Sequence, residues 1–242
     1  MSRIVIFEGI DGSGKDTQIA KLKGRLKKAK KSCIVLHGLD RNNSIGKEIT
    51  KLQQVTSKGM ARTVSEHRMQ HLFRSEQYRL LEEIKQAKDK GYEYIIINRS
   101  CFSTYAYSQA NTHLAGKNRM FYLHNLMADF NLTDAWFDML KYLVPNITID
   151  VLFLDLPVTV ALQRLKERNS KTEIANETRS VLTKVKKQYN TLYSDIIDGT
   201  LLMEQYGETR AYHEDKLKAH KINANKNVSE IADNIYQLVT IG

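Results

Sequence analysis

The chain of 242 residues has few of the residues that mark linkers, disulfide frameworks and membrane spans. It contains only two prolines, Pro145 and Pro157, and no Pro/Ser-rich linker, which favours one compact domain over residues 1–242. Its two cysteines, Cys33 and Cys101, stand beside apolar runs and are predicted to be reduced core thiols. Because no apolar run is long enough to cross a membrane and no signal peptide is recognisable, we expect a cytoplasmic protein without a membrane partner.

Acidic residues are the minority charge, since 37 Lys and Arg stand against 27 Asp and Glu and give a net charge of +10. Such an excess suits a phosphate-rich partner, either small-molecule nucleotides or a nucleic acid. Many of the cations lie in Lys21–Lys31, where an apolar stripe with Leu22 and Leu26 predicts an amphipathic helix with a solvated lysine face. Since no aromatic stacking residues accompany these lysines, a nucleic-acid partner is not favoured.

The strongest chemical signal lies near the start of the chain, where the apolar run Ile4–Phe7 leads into a glycine-rich turn and a helical pattern. Gly9, Gly14 and Lys15 match the phosphate-loop spacing G-x-x-x-x-G-K. Glycines let backbone N–H groups approach phosphates, and the helix N-terminus behind them favours negative charge. The sequence therefore predicts a site for the ATP phosphates formed by Gly9, Asp11, Gly12, Ser13, Gly14, Lys15, Asp16 and Thr17.

One position departs from the phosphate-loop motif. Asp16 stands where a Ser or Thr normally presents a hydroxyl to Mg²⁺. A carboxylate at this position can hold Mg²⁺ directly, through water or not at all, and Asp11 inside the loop is a second candidate for the ion. We expect Mg²⁺ as a cofactor, with Asp11 and Asp16 as its ligands, either directly or through water.

Apolar runs alternate with helical patterns along the chain and predict a parallel α/β sheet of about five strands. The strand candidates are Ile4–Phe7, Ile34–His37, Tyr94–Asn98, Ile147–Leu154 and Ile222–Asn225. Helical patterns cover roughly residues 15–31, 65–90, 158–168, 176–193 and 228–239. In addition, Asp155 can cap the helix that follows it. The predicted fold is a three-layer, P-loop NTPase-type sheet flanked by helices.

Two further segments are less regular. Residues 117–143 read as one or two helices rich in aromatics, namely Phe121, Tyr122, Phe130, Trp136 and Phe137. Core filling is the default role for such residues, and a homodimer face is the minority alternative. Residues 198–220 are charged and irregular, and their composition indicates no role.

Polar side chains follow the predicted strands, at the edge where open parallel sheets bind ligands. Asp40 and Arg41 follow the second strand, although an ordinary polar loop is an equal alternative for them. Arg99 follows the third strand and is predicted to clamp phosphate, because a guanidinium can donate two hydrogen bonds to it. The helix at 158–168 projects two more arginines toward polar residues, Arg164 and Arg168.

Taken together, these motifs resemble the thymidylate kinase family of nucleoside monophosphate kinases over nearly the whole chain. The strongest block is Phe7–Lys15 with Thr17 and Gln18, which is similar to the family's F-E-G-x-D-G-x-G-K-x-T-Q. The segment Asn98–Tyr107 is similar to D-R-x-x-x-S-x-x-A-Y/F, and Leu154–Arg164 is similar to L-D-x-x-x-x-x-A-x-x-R.

The resemblance implies transfer of the γ-phosphoryl group of ATP to a deoxynucleoside monophosphate, with dTMP as the first choice. It implies that Phe73 stacks on the base, and the other implied substrate contacts are Asp40, Arg41, Gln77, Arg99, Ser103, Thr104 and Tyr107. The implied catalytic cations are Lys15, Arg41, Arg99, Arg164 and Arg168. It also implies a short lid at about residues 166–176 and makes residues 198–220 an insertion.

Two departures from the family pattern leave alternatives open. Asn98 replaces an aspartate near the metal, and Gln77 replaces an arginine that contacts thymine. Glutamine can still bind a base edge through both its carbonyl oxygen and its amide. The alternatives are a kinase for another or modified deoxynucleotide, a kinase acting on nucleotides within DNA, and an ATP-dependent nucleic-acid-binding module.

Overall fold

The computed structural model describes residues 2–53, 60–111, 128, 132–133, 135–168, 177–198 and 217–241. Within these ranges, five strands form one sheet: β1 (Arg3–Glu8), β2 (Cys33–His37), β3 (Tyr94–Asn98), β4 (Thr148–Asp155) and β5 (Leu217–Asn223). Their order across the sheet is β2-β3-β1-β4-β5, and every neighbouring pair is parallel. The predicted parallel α/β sheet of about five strands is therefore confirmed.

Helices join the strands and cover both faces of the sheet. They are α1 (Lys15–Lys28), α2 (Ser44–Gln53), α3 (Met60–Asp89), α4 (Cys101–Asn111), α5 (135–143), α6 (Val158–Glu167), α7 (Arg179–Ile197) and α8 (Val228–Ile241). Because crossovers between parallel strands are right-handed, the strand order places α1 on one face and the helices after β2, β3 and β4 on the other. The helix α8 packs against α1. The predicted three layers are present.

The core lies on both faces of β1 and β4, the strands at the middle of the sheet. Ile4, Val5, Ile6 and Phe7 of β1 have no exposed surface. Continuous apolar runs of this kind are typical of parallel strands that helices cover on both sides. Burial of these runs fixes the sheet whose carboxyl edge holds the candidate site.

The aromatic segment contributes to the same core where it is described. Trp136 is fully buried and Phe137 is 1% exposed, which confirms the core role for these two residues. Phe121, Tyr122 and Phe130 lie outside the described residues.

The helix α2 was not predicted, because the polar sequence around it resembles a loop. It begins at Ser44, and the side chain of Asn43 accepts a hydrogen bond from the backbone N–H of Gly46 at 2.7 Å. That contact caps the helix N-terminus. At the other end of this region, α3 ends where a stop was predicted, since Gly91 has a left-handed φ of 77°.

Two predictions about the second half of the chain were wrong. The last strand begins at Leu217 rather than Ile222, so the end of the predicted insertion belongs to the sheet, and 199–216 lies outside the described residues. Asp155 does not cap α6, because its carboxylate pairs with Lys186 at 2.7 Å and lies 3.6 Å from Lys221. Both lysines reach Asp155 only in the folded chain.

Two predictions from composition can be compared with the structure. Cys33 and Cys101 are both free, and Cys101 is buried. Across the described residues, we find no helix that combines the length and the apolar character needed to span a membrane.

Candidate active site

The carboxyl ends of β1, β2 and β3 meet at one edge of the sheet and bring the candidate residues together. Phe7 pairs in register with Asn98, and the backbone N–H of Arg99 donates to the carbonyl of Phe7 at 3.1 Å. The N–H of Gly38 donates to the carbonyl of Asn98 at 3.0 Å. The phosphate loop and the segments that begin at Gly38 and Arg99 are therefore neighbours.

The turn between β1 and α1 has the conformation of a phosphate loop. Gly12 and Gly14 have left-handed φ angles of 81° and 89°. A Cβ on Gly12 would also lie 2.7 Å from the carbonyl oxygen of Ala161, so both conformation and space require glycine there. Because α1 begins directly behind the loop, its first N–H groups favour an anion at this position.

The Lys15 side chain folds back over this loop. Its ammonium donates to the carbonyl oxygens of Gly9 and Ile10, both at 2.9 Å, and to the hydroxyl of Ser13 at 3.3 Å. Burial and the neighbouring Arg99 guanidinium lower the pKa of the Lys15 ammonium to about 7. A phosphate beside this ammonium would raise its pKa again, because an opposite charge favours the charged form.

Arg99 joins the phosphate loop to α4 and α7. Its guanidinium donates to Asp11 at 2.5 Å, to Ser103 at 3.1 Å and to Tyr189 at 3.2 Å. The Tyr107 ring centroid lies 5.2 Å from the guanidinium, and its hydroxyl donates to Asp11 at 2.8 Å. Arg99 also has a left-handed φ of 68°, which a long side chain adopts only where its surroundings hold it. The predicted clamp is thus fixed in position.

Glu8, at the end of β1, has a role that the sequence analysis did not assign. Its fully buried carboxylate accepts hydrogen bonds from the Ser100 N–H and hydroxyl, from Ser103 at 2.5 Å and from Tyr189 at 3.1 Å. Ser103 and Tyr189 are also partners of Arg99. Glu8 lies within the F-E-G block quoted above, but its role depends on helices that are distant in sequence.

A second group of candidate residues lies on α3. Phe73 is half-buried, and Gln77 follows one turn later on the same helix face with 2% of its surface exposed. The side-chain amide of Gln77 donates to the carbonyl of Gly38 at 3.1 Å, and the Trp136 indole donates to the backbone carbonyl of Gln77 at 3.1 Å. Gly38 therefore links this group to the segment around Arg99.

The Asp40–Arg41 loop is held by Glu76, a fully buried carboxylate that the sequence analysis also missed. Glu76 accepts hydrogen bonds from the Asp40 N–H at 2.9 Å, the Asn43 amide at 2.8 Å and the Arg79 guanidinium at 3.1 Å. Arg41 is exposed and donates to the hydroxyl of Thr50 on α2 at 3.0 Å. The loop is therefore ordered, while the Arg41 guanidinium faces α2 rather than Arg99.

Arg164 on α6 reaches the phosphate loop. Its guanidinium lies 3.5 Å from the carbonyl oxygen of Gly12 and 3.3 Å from that of Ala224. Because Arg164 is fixed by two backbone carbonyls, its positive charge is held beside the loop.

Arg168 lies at the border of the predicted lid. It is 58% exposed and pairs with Glu177 at 3.3 Å, across residues 169–176, which lie outside the described residues. Burial and the negative charge of Asp11 raise the pKa of Glu177. Glu177 therefore lies within electrostatic reach of Asp11 in the phosphate loop.

For three further residues of the predicted site, the structure shows only where they lie. Ser13 is buried within the loop, Thr17 is exposed on the first turn of α1, and Thr104 is 7% exposed on α4. Their predicted contacts with nucleotides remain predictions.

The two candidate metal ligands differ in what they bind. Asp16 is exposed and accepts a hydrogen bond from the neutral side-chain amide of Asn98 at 2.6 Å, so this contact leaves its charge uncompensated. Asp11 binds Arg99, and although burial opposes the change, the charges of Arg99 and Lys15 lower the pKa of Asp11. The Arg99 ion pair therefore offsets the charge of Asp11, whereas Asp16 is exposed and makes no ion pair among the described residues.

Comparisons with known proteins give consistent relatives. The family model described as thymidylate kinase matches residues 7–125. A thymidylate kinase from Thermosipho melanesiensis is 30% identical over 202 residues, which cover 81% of this chain and 89% of that protein.

Solved structures of low sequence identity have the same fold. A thymidylate kinase from Candida albicans is 20% identical, with a TM-score of 0.65 and coverage of 99% of this chain and 92% of that chain. A deoxyadenosine kinase from M. mycoides is 15% identical, with a TM-score of 0.59 and coverage of 99% and 100%. At these identities, the likeness establishes the fold alone.

Proposed function

The chain belongs to the thymidylate kinase family of nucleoside monophosphate kinases, and from this membership we propose that it converts dTMP to dTDP with ATP as donor. The observation that best supports this function is the contact between Arg99 and Asp11, which joins the phosphate loop to the third strand's end. Through Gly38, that strand end also contacts Gln77 on α3. The residues that we assign to the donor and those that we assign to the base therefore meet at one edge of the sheet.

Phosphoryl transfer asks for little covalent chemistry from the protein, since positioning and charge neutralisation supply most of the rate. In the proposed reaction, Lys15 and the loop N–H groups bind the donor phosphates. Arg99 and Arg164 approach the same loop from two other elements, and their fixed charges offset the negative charge of the transferred group. The predicted contributions of Arg41 and Arg168 require their side chains to turn from Thr50 and Glu177 toward the substrates.

Mg²⁺ is part of this proposal, with Asp16 as the preferred ligand. Among the described residues, no group of three or more His, Cys, Asp or Glu side chains could hold a metal ion. The binding mode that we propose is the usual one for Mg²⁺, through one or two carboxylates, water and the substrate phosphates. When bound, the ion neutralises phosphate charge, and Asn98 orients the Asp16 carboxylate for it. Asp11 remains the alternative ligand.

Several finer points stay predictions. They are the lid at 166–176, the homodimer alternative and the cytoplasmic location. A kinase for another deoxynucleotide is the second candidate function, and it is favoured by Gln77 in place of the family's arginine.

A panel of deoxynucleoside monophosphates tests the proposed acceptor. The purified protein is incubated with ATP, Mg²⁺ and dTMP, dUMP, dCMP, dAMP or dGMP, and the products are separated by chromatography. We expect dTDP and ADP in equal amounts, with the highest kcat/KM for dTMP. A higher kcat/KM for another nucleotide would establish the second candidate function, and no diphosphate with any of them would contradict both.

A further inference from the structure

Two histidines stand one helical turn apart on α3, in the sequence His67-Arg-Met-Gln-His71. Positions i and i+4 of a helix lie on the same face, and this H-x-x-x-H spacing is the one by which a helix presents two imidazoles to a zinc ion. The glutamate that follows the first histidine in zinc-dependent proteases is Arg68 here, so the spacing indicates metal binding without that hydrolytic chemistry. Because α3 contains neither glycine nor proline, the helix keeps the two positions aligned.

The two imidazoles converge through their Nε2 atoms. These atoms lie 3.2 Å apart, and the ring planes are at 83° to each other. Two nitrogen ligands at about 2.0–2.1 Å from a tetrahedral ion lie about 3.3–3.4 Å apart, so the observed separation is close to that of two ligands of one ion. His71 is exposed and His67 is half-buried. Because the χ2 torsion of histidine is soft, small turns of the rings can aim both lone pairs at one point.

A hydrogen bond between the two rings is the ordinary explanation of this contact, and Arg74 bears on it. The guanidinium nitrogen Nη1 of Arg74 lies 3.5 Å from Nδ1 of His71, and a guanidinium can only donate. Without metal, His71 therefore carries its proton on Nε2 and donates it to Nε2 of His67. Metal binding would move that proton to Nδ1 and turn Arg74 away, so Arg74 opposes the ion both by its charge and by its hydrogen bond.

We propose that His67 and His71 form a metal site that binds a divalent transition ion, with Zn²⁺ as the expected ion, through both Nε2 atoms. Imidazole nitrogens suit Zn²⁺ and the neighbouring transition metals, whereas Mg²⁺ prefers oxygen ligands. The site is therefore separate from the Mg²⁺ that we propose at the phosphate loop. Among the described residues, no third His, Cys, Asp or Glu joins the pair, which leaves coordination positions for water.

A bound ion would tie together one turn of α3. A ligand that binds only the folded chain stabilises it by mass action, so Zn²⁺ should raise the unfolding temperature of the protein. The tied turn ends two residues before Phe73, which we assign to the base. The site does not depend on the kinase reaction, and it holds whichever nucleotide is the acceptor.

A Zn²⁺ titration of the full chain tests the site. The protein is stripped of metal with EDTA, the chelator is removed, and Zn²⁺ is added in a calorimeter without nucleotide and with millimolar Mg²⁺ present. We expect one saturable Zn²⁺ site per chain. His67→Ala and His71→Ala should each lower the affinity at least about tenfold, because even groups that only orient a metal ligand are worth about 10- to 100-fold. The control is His37→Ala, a change of the exposed histidine that ends β2, which should bind Zn²⁺ like the wild-type protein.

Substitutions of Arg74 test the ligand atoms. The carboxylate of Arg74→Glu can accept the Nδ1–H of a metal-bound His71, so the Zn²⁺ affinity should rise about tenfold or more. Arg74→Met removes the opposing charge without supplying an acceptor and should give a smaller rise.

Three results would overturn the assignment. The first is a wild-type protein without saturable Zn²⁺ binding. The second is an unchanged affinity in His71→Ala, which would place the ion elsewhere. Because His71 is exposed, this variant should fold even if His67→Ala loses stability. The third is a lower affinity in Arg74→Glu, which would show that the Nε2 atoms are not the ligands.

Discussion

The side-chain amide of Asn98, at the end of β3, donates a hydrogen bond to the carboxylate of Asp16, in the first turn of α1, at 2.6 Å. The family pattern has an aspartate at the first position and the phosphate-loop motif a hydroxyl residue at the second. In this chain the carboxylate stands on the helix and the neutral partner on the strand. We interpret the two departures as one exchange. Relative to the family pattern, the carboxylate is on the first turn of α1 instead of at the end of β3, and it stays beside the phosphate loop.

This exchange predicts a compensating double substitution. Asp16→Thr alone removes the available carboxylate and should lower kcat/KM with Mg²⁺ by about 10- to 100-fold, the scale seen when metal-site partners are lost. Adding Asn98→Asp should restore a large part of that loss, because it returns a carboxylate to the same gap. Binding of Mn²⁺ in the presence of ATP should follow the same order. A double variant no better than Asp16→Thr would refute the exchange.

The depressed pKa of Lys15 predicts that ATP binding takes up a proton. Burial and Arg99 lower the pKa of the free ammonium to about 7, so above that pH the free protein holds Lys15 mostly neutral. Phosphates favour the charged form, so the complex binds more protons and ATP affinity falls as pH rises above about 7. The fall ends where the pH exceeds the pKa of Lys15 in the complex.

Calorimetry at about pH 8, in two buffers of different ionisation enthalpy, measures this uptake directly. We expect close to one proton per ATP beyond the uptake seen with Lys15→Arg, since an arginine stays protonated in both states. Equal proton uptake by the two proteins would show that Lys15 is already charged in the free enzyme.

Glu8→Gln should destabilise the protein more than a surface substitution of the same kind. The Glu8 carboxylate accepts from one N–H group and several hydroxyls. A new amide nitrogen would be satisfied only if these hydroxyls turned from donating to accepting, and the substitution also removes a negative charge that stabilises the buried Arg99 guanidinium. We expect a loss of about 1–3 kcal/mol in the free energy of unfolding, measured by denaturant titration. The control is Glu230→Gln, whose carboxylate is 53% exposed and should change the same free energy by less than about 1 kcal/mol. Equal effects of the two substitutions would remove the role given to Glu8.

Gly38→Ala should impair activity because there is no room for the added Cβ. A Cβ at Gly38 would lie 2.3 Å from the carbonyl oxygen of Arg99, so either the Arg99 backbone or the Gln77 anchor must shift. We expect a fall of at least about tenfold in kcat/KM, since small displacements of positioning groups are costly. Gly24→Ala is the control: nothing lies near its Cβ on α1, and it should stabilise the protein by about 0.5–1 kcal/mol with unchanged activity. Normal kcat/KM in Gly38→Ala would contradict the close fit.

The sequence was sufficient wherever the signal is local. The glycine-rich turn before α1, the order of strands and helices, and the position of Arg99 at the end of β3 follow from spacing and from apolar runs. The partners of these residues could not be predicted, because they come from distant parts of the chain. Glu8 and Tyr189 are separated by 181 positions, yet they share a hydrogen bond that positions Arg99.

Some local patterns were also misleading. The strand β5 contains two lysines and a histidine and has no continuous apolar run, so only its last residues were predicted from the sequence. In the sequence, Glu76 is one of several charges in a long helical pattern, and only its burial under the Asp40 loop makes it a structural acceptor. In both cases the environment that explains the residue exists only after the sheet and helices have packed.

Transfer of label from γ-labelled ATP to dTMP tests the central claim most directly. The wild-type protein should form labelled dTDP in a Mg²⁺-dependent reaction. Lys15→Ala should remain folded by circular dichroism and lower kcat/KM by about 100- to 1,000-fold, the usual loss for one oriented electrostatic group. Near-normal transfer by Lys15→Ala, or no labelled dTDP from the wild-type protein, would contradict the account.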